Sequence, residues 1–256
     1  MINRKNLLIS PVGKNAFEIC KGWISTDRSY DIMFIYYDMD GYENFKNTAD
    51  YFVLTKGFKF PLIHQILSEN LELITKYNYF FFPDDDIRIT SRDIDRLFSF
   101  ATSKKISVCQ PSLYPKNFTW PITKNNPDTL FRYVSMVEIM CPVFSKDALN
   151  KCLPSFTESY SGWGLEVAWY RLLGSKQKQF IIYDLVIAIH EGVRGSGSKM
   201  YDNLSKMGIH PADEYHRLEK KYDWKIDFYD IHYVYRIEFI WNSFWKKVKS
   251  LVPGIN

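Results

Sequence analysis

Short, continuous hydrophobic runs mark the first half of the chain, and stretches with helical spacing separate some of them. Runs of this kind, bounded by turn residues or charges, are typical of strands buried on both faces of a sheet. The predicted strands cover residues 6–12, 30–38, 77–83 and 106–114. Residues 60–77 predict a helix with Pro61 in its first turn. Residues 91–104 predict a second amphipathic helix with Ser91 as its N-cap.

Strands that alternate with helices predict an α/β fold with a mostly parallel central sheet covered by helices on both faces. In such sheets, ligands bind beyond the carboxyl ends of the strands, where loops and helix N-termini supply polar groups. Three strand exits, at residues 10–14, 37–40 and 83–86, are therefore expected to line one crevice of nucleotide size.

The second half of the chain is less regular. Residues 137–153 predict a strand followed by a helix, and residues 159–173 predict a glycine-rich loop leading into a helix. Residues 179–192 predict a strand that ends in a His-Glu-Gly turn. We divide the chain into a main domain, residues 1–200, and a C-terminal helical extension, residues 201–256.

The extension ends in a helical apolar stripe over residues 235–252, which also carries three lysines, Lys246, Lys247 and Lys249. Two interpretations stay open. The aromatic side chains pack on the main domain, or Trp241, Phe244 and Trp245 insert into a bilayer while the lysines meet anionic headgroups.

Composition and charge narrow the class of protein. Hydrophobic residues make up 46% and aromatic residues 17% of the chain, which indicates a folded domain with a sizeable core. The net charge of +4 without a polybasic tract gives no indication of nucleic-acid binding. The four cysteines lack metal-ligand spacing, and the N-terminus lacks a signal-peptide pattern. We expect a cytoplasmic protein, with peripheral contact at the inner membrane face if the C-terminal helix binds lipid.

Three adjacent carboxylates, Asp84, Asp85 and Asp86, follow the predicted strand 77–83 directly. Their repulsion is offset by a hard divalent cation, which takes oxygen ligands at about 2.0–2.6 Å. The first and third aspartates project to the same side of an extended segment, so Asp84 and Asp86 can share one ion, or one can ligate while the other holds a ribose. From spacing alone, a solvated turn or a helix cap explains the cluster equally well.

Four short motifs together resemble the glycosyltransferase-A fold, a Rossmann-like α/β fold with a mixed, mostly parallel sheet. They are "FFPDDD", "VEIMCPVFS", "SGWGLEVAW" and "IHEG", in this order. The combination is most similar to a glycosyltransferase-like family of unknown function (family 707) known from plants and bacteria. The resemblance covers roughly residues 5 to 195. The chain departs from that family at Glu166, where Asp is more frequent, and at Asp85, where Glu is frequent.

The resemblance implies a metal site. Asp84, Asp86 and His190 are expected to hold Mn²⁺ or Mg²⁺ against the diphosphate of a sugar nucleotide. An imidazole beside two carboxylates favours Mn²⁺, since Mg²⁺ prefers an all-oxygen shell. Taken alone, a histidine at a strand exit is more often a packing or hydrogen-bonding residue.

The resemblance also implies an acceptor side. Inverting transfer needs a carboxylate that takes the proton of the acceptor hydroxyl, and Glu166 is the candidate. The alternative for Glu166 is a charge that complements a helix dipole. Trp163 and Gly164 are expected to contact the acceptor sugar. Glu138, on a predicted strand, either binds acceptor hydroxyls or pairs with Arg132.

The nucleotide side is predicted from strand exits and nearby lysines. Residues expected to bind the nucleotide sugar are Pro11, Val12, Gly13, Asp38, Lys56, Lys59, Asp84 and Asp85. The loop 191–199, with Arg194 and Lys199, is interpreted either as a lid over the diphosphate or as an ordinary flexible loop.

The leading hypothesis is a metal-dependent hexosyltransferase that uses a nucleoside-diphosphate sugar, with UDP as the expected nucleotide. Its acceptor would be a carbohydrate or glycolipid in surface polysaccharide or glycan synthesis. One alternative is a metal-dependent phosphohydrolase or nucleotidyltransferase, which needs further acidic ligands for a second ion. Another is a non-catalytic carbohydrate-binding protein with Trp120, Trp163 and Trp169 as stacking surfaces.

Overall fold

The apolar runs of the sequence form neighbouring strands of one large sheet. The computed structural model describes residues 4–115, 120–174, 178–192, 199–227 and 230–236. The strands are β1 (Asn6–Val12), β2 (Tyr30–Tyr36), β3 (Tyr51–Leu54), β4 (Tyr79–Phe81), β5 (Ile87–Arg88), β6 (Val108–Leu113), β7 (Thr129–Val134), β8 (Val143–Ser145), β9 (Phe180–His190) and β10 (Ile231–Arg236). The predicted strands therefore exist, with ends shifted by up to two residues.

The helices cover both faces of the sheet. They are α1 (Phe17–Cys20), α2 (Glu43–Thr48), α3 (Lys59–Glu69), α4 (Leu71–Lys76), α5 (Ser91–Lys104), α6 (Lys146–Cys152), α7 (Leu165–Leu172), α8 (Lys199–Lys206) and α9 (Pro211–Tyr222). The helix predicted over 60–77 is two helices, because Asn70 leaves the helical conformation at φ −132° and ψ 65°. The N-cap of α5 is Thr90, whose side chain accepts from the Asp93 amide, and not Ser91 as predicted.

The strand order is β10-β7-β9-β6-β8-β4-β1-β2-β3, with β5 paired to β9 beside this path. Strands β4, β1, β2 and β3 are parallel neighbours. Strand β8 runs antiparallel to both β4 and β6, and β6 is parallel to β9. Strands β6 and β9 therefore point in the same direction as β1 to β4. The carboxyl ends of all these strands lie at one edge of the sheet, which confirms the mixed, mostly parallel α/β architecture.

The core consists of two layers, one on each face of the sheet. The end of β4 and the residue after it show why this stretch is apolar throughout: Phe80 and Phe82 belong to one layer, and Phe81 belongs to the other. All three rings are fully buried, and burial of such a side chain contributes roughly 1.5–3 kcal/mol. This central strand fixes the position of the three aspartates that follow it.

Residues beyond 200 add to the same sheet. Helix α9 packs against α7, and β10 pairs antiparallel with β7. Tyr235 and Arg236 lie in β10, so the helix predicted from residue 235 does not begin there. The remainder of that stripe, with Trp241, Phe244 and Trp245, falls outside the described residues. Among the helices in the described ranges, none is long and apolar enough to span a membrane.

Candidate functional site

The short pairing of β5 with β9 brings the aspartates and His190 together. Its register places Ile87 opposite His190, so the preceding Asp86 lies beside the imidazole. The Oδ2 atom of Asp86 is 3.2 Å from Nε2 of His190, and the Glu191 amide donates to the Asp86 carbonyl at 2.9 Å. The hydrogen bond that the protonated imidazole donates to the Asp86 carboxylate raises the pKa of His190. Residues 104 positions apart thus form one pair at the edge of the sheet.

The backbone of Gly192 passes close to both Asp86 and His190. A Cβ atom at Gly192 would collide with the Asp86 carboxylate and would lie 2.9 Å from Nε2 of His190. Only a residue without a side chain lets the backbone pass so close to both groups. The glycine of the "IHEG" motif therefore has a steric role that the sequence alone did not reveal.

Asp84 is held by a different partner. Its Oδ1 atom is 2.6 Å from the Lys59 ammonium, which also donates to the carbonyl oxygens of Ile139 at 2.7 Å and Met140 at 3.3 Å. The Asp84 amide donates to the Met140 carbonyl at 2.7 Å. Burial raises the pKa of Asp84, the Lys59 charge opposes this shift, and the Asp86 charge adds to it. Lys59, predicted as a phosphate contact, is thus an ion-pair partner of the first aspartate.

Asp85 turns toward the ends of β1 and β2. Its Oδ2 atom accepts from the Gly13 amide at 3.0 Å and from the Tyr37 hydroxyl at 2.8 Å. Burial raises the pKa of Asp85 to about 6, although both hydrogen bonds act to lower it. A Cβ atom at Gly13 would lie 2.5 Å from the Tyr37 hydroxyl oxygen, so this contact also depends on glycine.

The other predicted nucleotide-side residues lie around this contact. Pro11 and Val12 are the last residues of β1, paired with β2, and Asp38 follows β2. The Asp38 carboxylate accepts from the Lys14 amide at 2.9 Å. Lys56 is exposed in the connection between β3 and α3. Tyr37, which the sequence analysis missed, lies in the "YYDMD" strand exit, and its hydroxyl donates to Asp85.

Glu166 lies in the first turn of α7 and is almost completely buried, with 7% of its surface exposed. Its Oε2 atom accepts from the Gly164 amide at 3.0 Å. Burial raises the pKa of Glu166 to about 8, and the Glu138 charge contributes in the same direction. Gly162 and Gly164 have φ values of +83° and +86°, which explains the glycines of this loop.

Glu138 lies in the connection between β7 and β8 and not on a strand as predicted. Its amide donates to the Gln110 side chain. The predicted pairing with Arg132 is wrong, because Arg132 forms a two-pronged ion pair with Asp184 at 2.8 Å for each contact. This buried pair occupies the guanidinium, so the acceptor role of Glu138 stays as the prediction.

Helix α9 contributes a residue that the sequence analysis missed. Glu214 accepts from the Ser159 hydroxyl at 3.1 Å and from the amides of Tyr160 at 2.8 Å and Ser161 at 2.9 Å. The Ser161 hydroxyl in turn accepts from the Trp163 amide at 3.1 Å. Glu214 thereby fixes the loop that carries Trp163 and Glu166. No motif around residue 214 signals this role.

Aromatic residues near the loop differ in exposure. Trp163 is half-buried and lies near Tyr201 of α8. Trp169 is fully buried against Phe60 and Phe144. The hypothesis that Trp169 offers a stacking surface to a glycan is therefore wrong. In the proposed lid, Arg194 falls outside the described residues, and the side chain of Lys199 does too.

The residues at the strand exits fit a cation in part. Within the described ranges, no three His, Cys, Asp or Glu side chains are grouped so that they could hold a metal ion. Asp86 and His190 do form a carboxylate-imidazole pair, and Oδ1 of Asp86 is buried with no hydrogen-bond partner among the described residues. This atom and the imidazole offer the oxygen and nitrogen donors that transition metals accept. Asp84 lies two residues away but is engaged by Lys59.

The pattern of one protein family matches residues 1–134, which is more than half of the chain. That family is described as "Protein of unknown function (DUF707)". The chain belongs to this family. In this DUF707 protein, the matched region includes the three aspartates, Gly13 and Lys59, whereas Glu166 and His190 lie beyond it. Comparison with curated proteins gives no match.

Solved structures of other proteins are similar to this chain at low sequence identity. The crystal structure of S. aureus TarS 1-349 in complex with UDP-GlcNAc is 10% identical, covers 84% of this chain and 71% of that chain, and has a TM-score of 0.50. The crystal structure of A197 from STIV is 12% identical, covers 73% of this chain and 85% of that chain, and has a TM-score of 0.46. With the TarS fragment among its structural neighbours, the DUF707 protein has a glycosyltransferase-like fold, as the sequence motifs predicted.

Proposed function

We propose that this DUF707 protein is a metal-dependent glycosyltransferase that moves a sugar from a nucleoside-diphosphate sugar, with UDP as the nucleotide, to a carbohydrate or glycolipid acceptor. The observation that carries the proposal is the contact between Asp86 and His190, made across the β5–β9 pair at the strand-exit edge of a glycosyltransferase-like sheet. TarS was crystallised in complex with UDP-GlcNAc, which supports a nucleotide sugar as the donor class.

The nucleotide would bind where β1, β2 and β4 end. Asp85 is fixed there by Gly13 and Tyr37, and Asp38 is fixed by the Lys14 amide. Two carboxylates held at neighbouring strand exits are suited to accept hydrogen bonds from ribose hydroxyls or from the N–H group of a base. Lys56, exposed in the loop before α3, is available as a point charge for a phosphate oxygen.

Asp86 and His190 would hold the divalent cation, with Asp84 as the third residue of the site. Mn²⁺ suits the mixed oxygen and nitrogen donors better than Mg²⁺ does. When bound, the ion would withdraw negative charge from the departing nucleoside diphosphate. Arg88 of β5 and Glu191, the residue after β9, form an exposed ion pair at 2.5 Å beside Asp86 and His190.

Glu166 would act as the base on the acceptor side and give inversion at the anomeric carbon. Its raised pKa makes it a strong proton acceptor once it is ionised, and the Gly164 amide orients one of its oxygens. Trp163 and Gly164 belong to the loop before Glu166, and the charge of Glu138 acts on Glu166. All three residues would contact the acceptor sugar. Glu214 sets this loop by three hydrogen bonds from α9.

The C-terminal stripe provides the proposed link to membranes. Its sequence favours either packing on the domain or contact with anionic lipid, and the stripe lies outside the described residues. We keep the cytoplasmic location and the peripheral contact at the inner membrane face as part of the proposal, since a glycolipid acceptor would be presented there.

The direct test is release of the free nucleotide, UDP, GDP or CMP, from UDP-, GDP- and CMP-linked sugars in the presence of Mn²⁺, with water or a panel of saccharides as acceptor. We expect one donor class to react. Asp86→Asn should abolish release, and Glu166→Gln should slow transfer to a saccharide by about 10²–10⁴-fold, the usual contribution of a general base. Asp213→Asn, an exposed residue of α9, is the control. Release that is equal in all four proteins would refute the assignment.

A further inference from the structure

The ammonium group of Lys59 lies among oxygen atoms in the way a bound cation does. Its partners are the Asp84 carboxylate at 2.6 Å and the carbonyl oxygens of Ile139 at 2.7 Å and Met140 at 3.3 Å. Only 14% of the Lys59 side chain is exposed. One carboxylate and two carbonyls form a donor set that is also found around metal ions in proteins.

The position of Lys59 is fixed by the start of α3. Phe58 precedes the helix in an extended conformation, and Phe60 is packed edge-on against Phe156 and Trp169. Gly57 lies so close to Leu62 that an added Cβ would approach its side chain to 2.8 Å. The ammonium is therefore delivered to Asp84 by a rigid segment, which limits the side-chain entropy that this ion pair must overcome.

Because of Lys59, the two outer aspartates of the Asp-x-Asp motif have different partners. Asp84 is neutralised by the ammonium, whereas Asp86 lies against His190 and keeps Oδ1 without a hydrogen-bond partner among the described residues. An ion bound at Asp86 and His190 could recruit Asp84 only if Lys59 moved away, because two cations would otherwise share one carboxylate.

We propose that Lys59 is an internal cation that competes with the divalent metal for Asp84. This inference rests on the proposed function, since it concerns the metal of the same site. In the free protein the metal has two protein ligands and binds weakly. The donor diphosphate supplies further oxygens, so metal and nucleotide bind together. A protein without the ammonium presents Asp84, Asp86 and His190 at once and binds the metal in the absence of nucleotide.

The test is a titration with Mn²⁺ alone on the full chain, with free Mn²⁺ measured by its paramagnetic resonance signal. We expect Lys59→Met to bind Mn²⁺ at least about tenfold tighter than the wild type, one step of 1.4 kcal/mol. The double variant Lys59→Met/Asp84→Asn should return to the wild-type affinity. Lys46→Met removes the same charge from an exposed position of α2 to which no binding role is assigned, and it should leave the affinity unchanged.

Two results would overturn the inference: Lys59→Met that binds Mn²⁺ no tighter than the wild type, or equal tightening by Lys46→Met. Lys59→Arg keeps a cation beside Asp84 and should behave as the wild type, so the comparison of Lys59→Arg with Lys59→Gln decides the matter if the methionine variant fails to fold. Joint binding of UDP and Mn²⁺ by the wild type, without tightening in Lys59→Met, would reject this inference and leave the proposed function standing. Tighter Mn²⁺ binding by Lys59→Met, in a protein that responds to no nucleotide, would support this inference and reject the proposed function.

Discussion

The three aspartates after β4 are adjacent in sequence and yet meet three different environments. Asp84 pairs with Lys59, Asp85 accepts from Gly13 and Tyr37, and Asp86 contacts His190. The alternation of side chains along an extended segment predicted that Asp85 would diverge from its neighbours. The separation of Asp84 from Asp86 was not predictable in this way, because Lys59 comes from a helix 25 residues earlier.

At the same scale, Glu166 gives a prediction on pH and stability. Its pKa is about 8 in the folded protein and near 4.5 in the unfolded chain, so the folded state binds more protons between these values. The free energy of unfolding must therefore fall as pH rises from about 4.5 to 8. Glu166→Gln removes this loss, and we expect it to be more stable than the wild type by a few kcal/mol at pH 8–9 and by little at pH 4.5.

Urea unfolding at several pH values measures this difference. Transfer catalysed by the wild type should accelerate as pH rises through about 8, since the base must be ionised. A stability difference between wild type and Glu166→Gln that is the same at every pH would show that burial does not perturb this carboxyl group.

Among the elements, the strands were predictable and their pairing was not. Hydrophobic runs place β1, β2, β4 and β6 correctly because residues buried on both faces of a sheet must be apolar. The two-residue strand β5 carries no such run, and yet its pairing with β9 builds the Asp86–His190 contact. From the sequence, Asp86 and His190 could be assigned to one site only through the resemblance to the glycosyltransferase-A fold, since contacts across about 100 positions leave no local pattern.

Helix α9 acts on the candidate site through Glu214, and this yields a second prediction. Glu214→Ala removes the acceptor of the buried Ser161 amide and of the Tyr160 amide. Loss of such a partner costs about 1–3 kcal/mol. We expect the two amides to exchange hydrogen faster and transfer to fall, whereas Glu214→Gln, which keeps one acceptor oxygen, should lie between this variant and the wild type.

The matched control on the same helix is Asp213→Ala, which removes an exposed carboxylate and should change stability by no more than about 0.5 kcal/mol. Hydrogen exchange followed by mass spectrometry on the peptide that contains residues 159–164 is the measurement. Unchanged exchange there in Glu214→Ala would mean that α9 does not hold the loop.

For the molecule as a whole, the sequence predicted the α/β class and the direction of most strands, because strands alternate with helices in the first half of the chain. It did not predict that β10 joins the sheet beside β7. The polar and aromatic residues of β10 are exposed or half-buried, so this edge strand lacks the continuous apolar run that marks the central strands. The boundary proposed at residue 200 falls within α8, and α9 and β10 beyond it contact α7 and β7 of the main domain.

The central claim, that a nucleoside diphosphate and a metal bind together at Asp86 and His190, is tested most directly by thermal unfolding with UDP and Mn²⁺. At a ligand concentration of 100 times the dissociation constant, the expected gain is about 2.7 kcal/mol. For a chain of this size that gain raises the melting temperature by roughly 5–10 °C. We predict this rise when both ligands are present, little with either one alone, and none in Asp86→Ala. A melting temperature that responds to no nucleotide with any divalent metal, or that rises equally in Asp86→Ala, would contradict the account.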